Sequence, residues 1–196
     1  MIPAERVALV LLAAGRSERF GAADKLAEPF LGKPLALHVV TALESVPFAA
    51  RYAVVSGTAV DFAGWGYRVV ENEAPEAGQS RSLRLGITAA AAGDIDAVAV
   101  ALADMPRVTA AQVFRLLDAA GEDEDLLASS DGVRPKPPAL FGRRHFAALA
   151  ALEGDAGARD LIVRGRHIVT TPAELVDIDT QEDLAKLRAS VGLSAR

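Results

Sequence analysis

Two short runs of the chain contain only apolar residues. They are "VALVLLAA" at positions 7–14 and "AVAVALA" at positions 97–103. Strands that are buried on both faces have this pattern, and they occur in parallel sheets covered by helices. Each run is less than half of the roughly 20 residues that a membrane-spanning helix requires. The runs therefore predict two central strands of a parallel sheet.

The segments between and after these runs alternate between strand and helix patterns. Helical spacing begins at Pro34 in "PLALHVVTALESV", at Ser80 in "SRSLRLGITAAAA" and after Thr109 in "AAQVFRLLDAA", and a last helix is predicted from about Thr180 to Ser190. "RYAVVSG", "YRVVEN" and positions 166–170 resemble strands. Prolines in "RPKPPALF" argue against a central hydrogen-bonded strand there. The alternation predicts an α/β fold with a mostly parallel sheet.

Length and composition exclude several classes of protein. The 196 residues suit one domain spanning 1–196. Since the chain has no cysteine, it has no disulfides, thiolate nucleophiles or cysteine-ligated metals. A formal charge of −5 argues against nucleic-acid or acidic-membrane partners. The first apolar run is not preceded by the basic start of a secretory signal, so a cytoplasmic protein is expected.

The first apolar run leads into "LLAAGRSERFGAADK", at the end of a strand where open α/β sheets bind ligands. The spacing matches neither a Walker loop nor G-x-G-x-x-G, because five residues separate Gly15 from Gly21 and Lys25 precedes neither Ser nor Thr. Backbone N–H groups of such a turn, with Arg16, Arg19 and Lys25, are suited to binding phosphates. The alternative is a solvated basic loop.

A carboxylate, Asp104, follows the second apolar run in "ALADMP". An isolated buried charge there would be costly, and a metal ion would remove that cost. Mg²⁺ commonly binds one or two carboxylates together with substrate phosphates. A role for Asp104 in a turn or helix cap is the alternative.

Two further stretches carry candidate residues near predicted helix starts. Asp177 and Asp179 precede the last helix in "VDIDTQEDL", and we expect one of the two to face any given site. Thr180 with a following acidic residue also predicts a capping box, so a purely structural role for one aspartate is an alternative. Ser80 and Ser82 lie where free helix N–H groups could bind an anion or a base, although ordinary capping would explain one of them.

"LAAGRSERFGAADK" resembles the LAAGxSxRxGxxK signature of the MobA-like nucleotidyltransferases. "AGQSRSLRLG", "LADMP", "GDAGARDLI" and "DIDTQEDL" follow in that family's order, so the resemblance covers residues 11–187. Within the family, the chain is most similar to the molybdenum cofactor cytidylyltransferase (MocA-like) branch. Guanylyltransferase-like members have LAGG, whereas Ala14 here gives LAAG, and a Cβ at this turn would leave less room for a purine.

The resemblance implies a Rossmann-like, three-layer αβα nucleotidyltransferase fold. It also implies Mg²⁺-dependent transfer of CMP from CTP to a molybdopterin-type acceptor with release of pyrophosphate, and a molybdoenzyme as a possible partner. The implied catalytic residues are Lys25, Asp104 and Arg19, and the implied metal ligands are Asp104 and Asp177. The expected nucleotide-binding residues are Leu12, Ala13, Ala14, Gly15, Arg16, Lys25, Gly78, Ser80 and Ser82.

One departure from the family pattern leaves the acceptor open. Relatives commonly have Gly-His-Pro or a similar sequence where this chain has "KPPALF", so that Lys136 and Pro137 replace the glycine and the polar residue. Another phosphorylated acceptor, such as a sugar phosphate, is one alternative. A non-catalytic nucleotide-binding chaperone of a molybdoenzyme is another. The missing G-x-G-x-x-G argues against an NAD(P)-dependent reductase.

Overall fold

The computed structural model describes residues 1–15, 19–21, 23–121, 125–154 and 157–192. Within these ranges it contains nine strands and six α-helices. The strands are β1 (Val7–Ala13), β2 (Pro29–Phe30), β3 (Lys33–Pro34), β4 (Ala50–Val55), β5 (Arg68–Glu71), β6 (Ala97–Leu102), β7 (Leu126–Ser130), β8 (Pro135–Gly142) and β9 (Arg166–Val169). The helices are α1 (Leu37–Ala42), α2 (Gln79–Ala91), α3 (Ala110–Ala119), α4 (Phe146–Ala150), α5 (Arg159–Arg164) and α6 (Gln181–Ser190).

The main sheet has seven strands in the order β5-β4-β1-β6-β8-β7-β9. All neighbouring pairs are parallel except those that involve β8, which runs antiparallel to β6 and β7. The two apolar runs form the paired strands β1 and β6, with Val7 opposite Ala97. The predicted α/β fold with a mostly parallel sheet is confirmed.

Side chains alternate between two hydrophobic clusters on opposite faces of the sheet, which gives three layers. In β1, Leu9 and Leu11 belong to one cluster and Ala8 and Val10 to the other. The first cluster includes residues of α1 and α3, and the second includes residues of α2, α4 and α5. Because β1 and β6 are parallel neighbours, their carboxyl ends lie at the same edge of the sheet, where the loops that follow them meet.

The prediction that prolines exclude a central strand at "RPKPPALF" is wrong. β8 lies between β6 and β7, but its pairs with β6 extend only from Ala139, opposite Val100, to Gly142, opposite Ala97. The prolines precede this stretch, and the register to β7 shifts between Ala128 and Ser129. The strand therefore donates ladder hydrogen bonds to β6 only where its residues carry an N–H.

Other boundaries differ from the sequence expectation more modestly. The first helix covers only Leu37–Ala42, because Pro34 belongs to the short β2–β3 hairpin rather than to the helix. The helix α5 was not predicted. The last helix begins as expected, with a reciprocal capping box between Thr180 and Asp183. None of the helices in the described ranges is both long enough and apolar enough to cross a membrane.

Candidate active site

Lys25 projects from the loop after β1 and is almost completely buried. It begins a short 3-10 turn, Lys25–Ala27, whose first amides are capped by Asp24: Oδ1 of Asp24 accepts a hydrogen bond from Leu26 N at 3.1 Å. The Lys25 side chain is only 6% exposed. A buried ammonium requires an anionic partner, and the loop after β6 supplies it.

Asp104 is that partner. It follows the end of β6 by two residues, and its Oδ2 accepts a hydrogen bond from Lys25 Nζ at 2.7 Å. Burial raises the pKa of Asp104, and the nearby Asp179 and Asp177 raise it further, whereas Lys25 opposes the shift. Oδ1 is buried and has no hydrogen-bond partner in the described part of the chain. The carboxylate thus retains an unused acceptor beside the ammonium.

Asp179, rather than Asp177, lies beside Lys25. Oδ1 of Asp179 is 3.7 Å from Lys25 Nζ, and its Oδ2 accepts a hydrogen bond from Arg19 Nη2 at 2.8 Å. Oδ1 of Asp177 instead accepts one from Lys136 Nζ at 2.9 Å. We therefore transfer the prediction of a second metal ligand from Asp177 to Asp179.

Lys25, Asp104, Asp179 and Arg19 line a cavity of about 570 Å³ at the carboxyl ends of β1 and β6. The N-terminal end of α2 also lines the cavity, because this 13-residue helix begins at Gln79. Gly78, which precedes it, has φ of +90°, a conformation that glycine adopts at little cost. The lining residues are Leu12, Ala14, Gly15, Arg19, Lys25, Pro75, Glu76, Gly78, Gln79, Ser82, Leu102, Asp104 and Asp179.

Two described residues that were predicted to bind the nucleotide, Ala13 and Ser80, are not among those that line the cavity. Ala13 is buried in the core of the sheet. Ser80 donates a hydrogen bond to Glu153 O and accepts one from Gly157 N, so its hydroxyl joins α2 to these two residues. Arg16 lies outside the described residues. Ser82 does line the cavity, but its hydroxyl accepts a hydrogen bond from buried Asn72.

A second cavity of about 320 Å³ adjoins the first. Six residues line both cavities: Leu12, Arg19, Gln79, Leu102, Asp104 and Asp179. The second cavity adds Lys136, Asp177 and Arg159, together with an apolar side that includes Met105, Phe141 and Ile162. A molecule in either cavity would therefore contact the same carboxylates.

The second cavity contradicts one sequence expectation. We expected only one of Asp177 and Asp179 to face any given site, yet both line this cavity. Residues two apart in extended chain point to the same side, because the side-chain period of extended backbone is two. Gln79 was not predicted as a site residue, and Asp179 was a candidate that was not chosen as the metal ligand. Their signals were present, since Gln79 follows Gly78 at a helix start and Asp179 repeats the acidic pattern of Asp177.

The carboxylates fit a metal that completes its coordination from a substrate. No group of three or more acidic or histidine side chains suited to a metal occurs within the described ranges. Mg²⁺, however, commonly uses one or two carboxylates and takes its other ligands from phosphates and water. The unpartnered Oδ1 of Asp104 supplies such a ligand atom, and Asp179 lies across the same cavity.

Residues 9–169 match the family model described as the MobA-like NTP transferase domain. The chain belongs to this family. The matched segment includes Lys25 and Asp104. The aspartates at 177 and 179 lie beyond the matched segment.

Curated relatives of this MobA-like protein carry two kinds of name. The bifunctional protein GlmU of Rhizorhabdus wittichii is 29% identical over 94% of this chain, which spans only 41% of that relative. The molybdenum cofactor guanylyltransferase of Shewanella frigidimarina is 26% identical over 96% of this chain and 98% of its own length. The chain thus spans about two fifths of the length of the GlmU relatives and nearly all of this guanylyltransferase.

Solved structures share the fold over nearly the whole chain. A homologue of Mycobacterium tuberculosis Rv0371c from Mycobacterium sp. strain JC1 is 26% identical, with a TM-score of 0.78 over 96% of this chain and 98% of that one. Rv0371c from M. tuberculosis H37Rv, solved in complex with manganese, is 24% identical, with a TM-score of 0.77 over 94% of this chain and 99% of that one.

Proposed function

We propose that this MobA-like protein transfers CMP from CTP to a molybdopterin-type acceptor and releases pyrophosphate. The observation that carries the proposal is the shared wall of the two cavities, where Asp104 and Asp179 face both. A nucleotidyltransferase must hold two substrates with their reacting atoms adjacent. The larger cavity, which contains Lys25, is assigned to the nucleotide, and the smaller cavity to the acceptor.

In the proposed reaction, an oxygen of the acceptor phosphate attacks the α-phosphorus of CTP in line. A new bond forms between this oxygen and the α-phosphorus, and the bond from the α-phosphorus to the bridging oxygen of the β-phosphate breaks. The electron pair of the broken bond leaves with pyrophosphate, so no protein nucleophile is needed. Lys25 and Arg19 offset the charge of the triphosphate, and the chain contributes mainly position and electrostatic stabilisation.

Mg²⁺ is proposed as the cofactor, with Asp104 and Asp179 as the protein ligands. When bound, it would neutralise phosphate charge and increase the electrophilic character of the α-phosphorus. Rv0371c, which shares this fold, was solved in complex with manganese, and this supports a divalent cation as the cofactor. Burial raises the pKa of Asp104, and a bound cation would favour the ionised form that can act as a ligand.

The proposed preference for CTP rests on Ala14. This residue is 6% exposed and lines the larger cavity, so its Cβ takes space that a glycine would leave open. We expect kcat/KM for CTP to exceed that for GTP by roughly 10- to 200-fold, the discrimination that steric fit alone can give. Competition between CTP and GTP, in the wild type and in Ala14→Gly, measures the ratio. A wild-type preference for GTP would contradict the cytidylyl assignment, whereas an unchanged ratio in Ala14→Gly would contradict only its steric explanation.

The proposed acceptor has a phosphate and a ring. Lys136 and Arg159 give the smaller cavity cationic groups, and Met105, Phe141 and Ile162 give it an apolar side. These groups suit the phosphate and the pterin of molybdopterin. A sugar phosphate is the second candidate, and a non-catalytic chaperone of a molybdoenzyme is the third. A cytoplasmic location and a single domain over residues 1–196 remain predictions.

Pyrophosphate release tests the proposal. The assay would supply each of the four ribonucleoside triphosphates with Mg²⁺, alone, with molybdopterin, and with glucose 1-phosphate as a representative sugar phosphate. We expect release with CTP and molybdopterin together. Release that requires glucose 1-phosphate would replace the acceptor. Nucleotide binding without release under any condition would favour the chaperone and contradict the enzyme.

A further inference from the structure

Asp24 connects the loop that carries Lys25 to the loop that follows β4. Its Oδ1 accepts the hydrogen bond from Leu26 N, within the turn that begins at Lys25. Its Oδ2 accepts two more, from Thr58 Oγ1 and from Ala59 N, each at 2.8 Å. One carboxylate thus receives donors from two loops at the same edge of the sheet.

These contacts constrain the position from which Lys25 reaches the site. β4 is the parallel neighbour of β1, so the loops after these strands leave the sheet side by side. Asp24 is covalently adjacent to Lys25, and charge-assisted hydrogen bonds of this length are among the stronger ones in proteins. The side chain of Lys25 extends from this anchored backbone to Asp104, where Nζ lies 2.7 Å from Oδ2. The position of the backbone therefore determines where the ammonium lies.

We propose that Asp24 and Thr58 position Lys25 for the nucleotide. The inference rests on the proposed function, because it assigns Lys25 to the triphosphate. Asp24 and Thr58 are absent from the lining of both cavities within the described residues, so they would act through Lys25 rather than by touching substrate. Loss of the Thr58 hydroxyl would remove one of the two hydrogen bonds from the loop after β4 to Asp24 Oδ2. The turn that begins at Lys25 would then be free to move.

A double-mutant cycle separates positioning from a general effect on folding. Thr58→Val keeps the shape of the side chain and removes its hydroxyl, which donates the bond to Asp24 and also accepts a longer one, at 3.3 Å, from Val60 N. We expect it to lower kcat/KM for CTP about tenfold, the effect of one lost hydrogen bond, and we expect Thr58→Ser to restore activity. In a Lys25→Ala background, the same Thr58→Val change should have less than a twofold effect, because the group that it positions is absent.

Asp61→Asn is the matched control. Asp61 lies in the same loop, and its Oδ1 accepts a hydrogen bond from Gly64 N at 3.0 Å. It therefore caps a turn and makes no hydrogen bond or ion pair with the described residues of the Lys25 loop, so its substitution should leave kcat/KM within twofold of the wild type. A loss in Asp61→Asn as large as that in Thr58→Val would contradict a specific role for Thr58.

Other outcomes separate the inference from the proposed function. An equal effect of Thr58→Val with and without Lys25, or no rescue by serine, would overturn the positioning role while pyrophosphate release in the wild type left the proposed function intact. If the wild type binds CTP but lacks turnover, the same cycle is measured on the calorimetric Kd for CTP with Mg²⁺. Absence of CTP binding by the wild type would overturn both.

Discussion

Asp104 is a buried carboxylate, and one of its oxygens accepts no hydrogen bond from the described residues, a combination that is unfavourable in a protein interior. Its carboxylate is buried enough for its pKa to be raised, yet its Oδ1 has no hydrogen-bond partner among the described residues. An unsatisfied buried acceptor lowers stability unless a ligand satisfies it. Such groups are therefore candidates for function, and here the carboxylate lies between two cavities.

Substitution of the three aspartates tests their assigned roles. We expect Asp104→Asn and Asp179→Asn each to lower kcat/KM by about 10²-fold or more, since an amide is a poor ligand for a hard cation. Asp177→Asn should cost less than about tenfold, because Asp177 is paired with Lys136 and lies outside the lining of the larger cavity. Steady-state kinetics with CTP and Mg²⁺ measure the order.

Asp118→Asn is the control for this series. Asp118 is exposed on α3 and is absent from the lining of both cavities, so its substitution should leave activity unchanged. A larger loss from Asp177→Asn than from Asp179→Asn would contradict the transfer of the metal-ligand assignment to Asp179.

The sequence could identify some of these residues but not their partners. A carboxylate that ends an apolar strand indicated Asp104, and strand-end geometry placed Lys25 on the same edge. The choice between Asp177 and Asp179 depends on the pairing with Lys136 and Arg19, which are 41 and 160 positions away. Contacts at such separations are set by the packing of β8 and α6, and no local pattern encodes them.

At the scale of elements, α2 packs closely on the sheet because Gly86 has no side chain. An added Cβ at this position would lie 2.4 Å from Val10 Cγ1 in β1 and 3.0 Å from Val54 Cγ2 in β4. Such distances require the helix or both strands to move. This contact packs the middle of α2 against β1 and β4.

We expect Gly86→Ala to lower the free energy of unfolding by about 1–2 kcal/mol. Overpacking costs about 1–3 kcal/mol, and the better helix propensity of alanine offsets up to about 1 kcal/mol of it. Denaturant unfolding measures the change. Gly93→Ala is the control, since its Cβ would meet no atom closer than 3.4 Å. Stabilisation by Gly86→Ala would mean that α2 packs less closely than described.

The start of α6 provides a pH-dependent test. Thr180 accepts a hydrogen bond from Asp183 N, and the Thr180 hydroxyl and backbone in turn lower the pKa of Asp183. A lowered folded-state pKa stabilises the fold above the ordinary value of 3.8, and this contribution is lost as the pH falls through the folded-state pKa.

Thr180→Ala should therefore cost about 1 kcal/mol near neutral pH. The cost should shrink below the ordinary pKa of Asp183, because the protonated carboxyl loses most of its interaction with the Thr180 groups. Urea unfolding of the wild type and the variant across this pH range measures both effects. Thr88→Ala, at an exposed position within α2, is the control. A cost for Thr180→Ala that is independent of pH would contradict the coupling to Asp183.

The elements show where local sequence patterns stop being sufficient. Runs that are apolar throughout predicted β1 and β6, and the capping residues predicted the starts of α3 and α6. The strand β8 was missed because its prolines lie beyond the end of its pairing with β6. Whether a proline costs a hydrogen bond depends on the neighbouring strand, so this position could not be judged from the segment alone.

At the scale of the whole molecule, the protein combines a net charge of −5 with cationic side chains in both cavities. Lys25 and Arg19 line the larger cavity, and Lys136 and Arg159 line the smaller one. Acidic residues face these cations across the shared wall, so a bound divalent cation would release Lys25 and Arg19 for the phosphates of a substrate. Because each cavity has its own cationic residues, the arrangement suits two anionic substrates, one in each cavity, better than a single one.

Transfer of isotope from CTP to the acceptor tests the central claim most directly. The wild-type protein would be given molybdopterin, Mg²⁺ and CTP labelled with ³²P at either the α- or the γ-phosphate. We predict that the α-label appears in the molybdopterin product, that the γ-label appears in pyrophosphate, and that Asp104→Asn abolishes both transfers. Appearance of the γ-label in molybdopterin or in inorganic phosphate, or of the α-label in free CMP alone, would contradict nucleotidyl transfer.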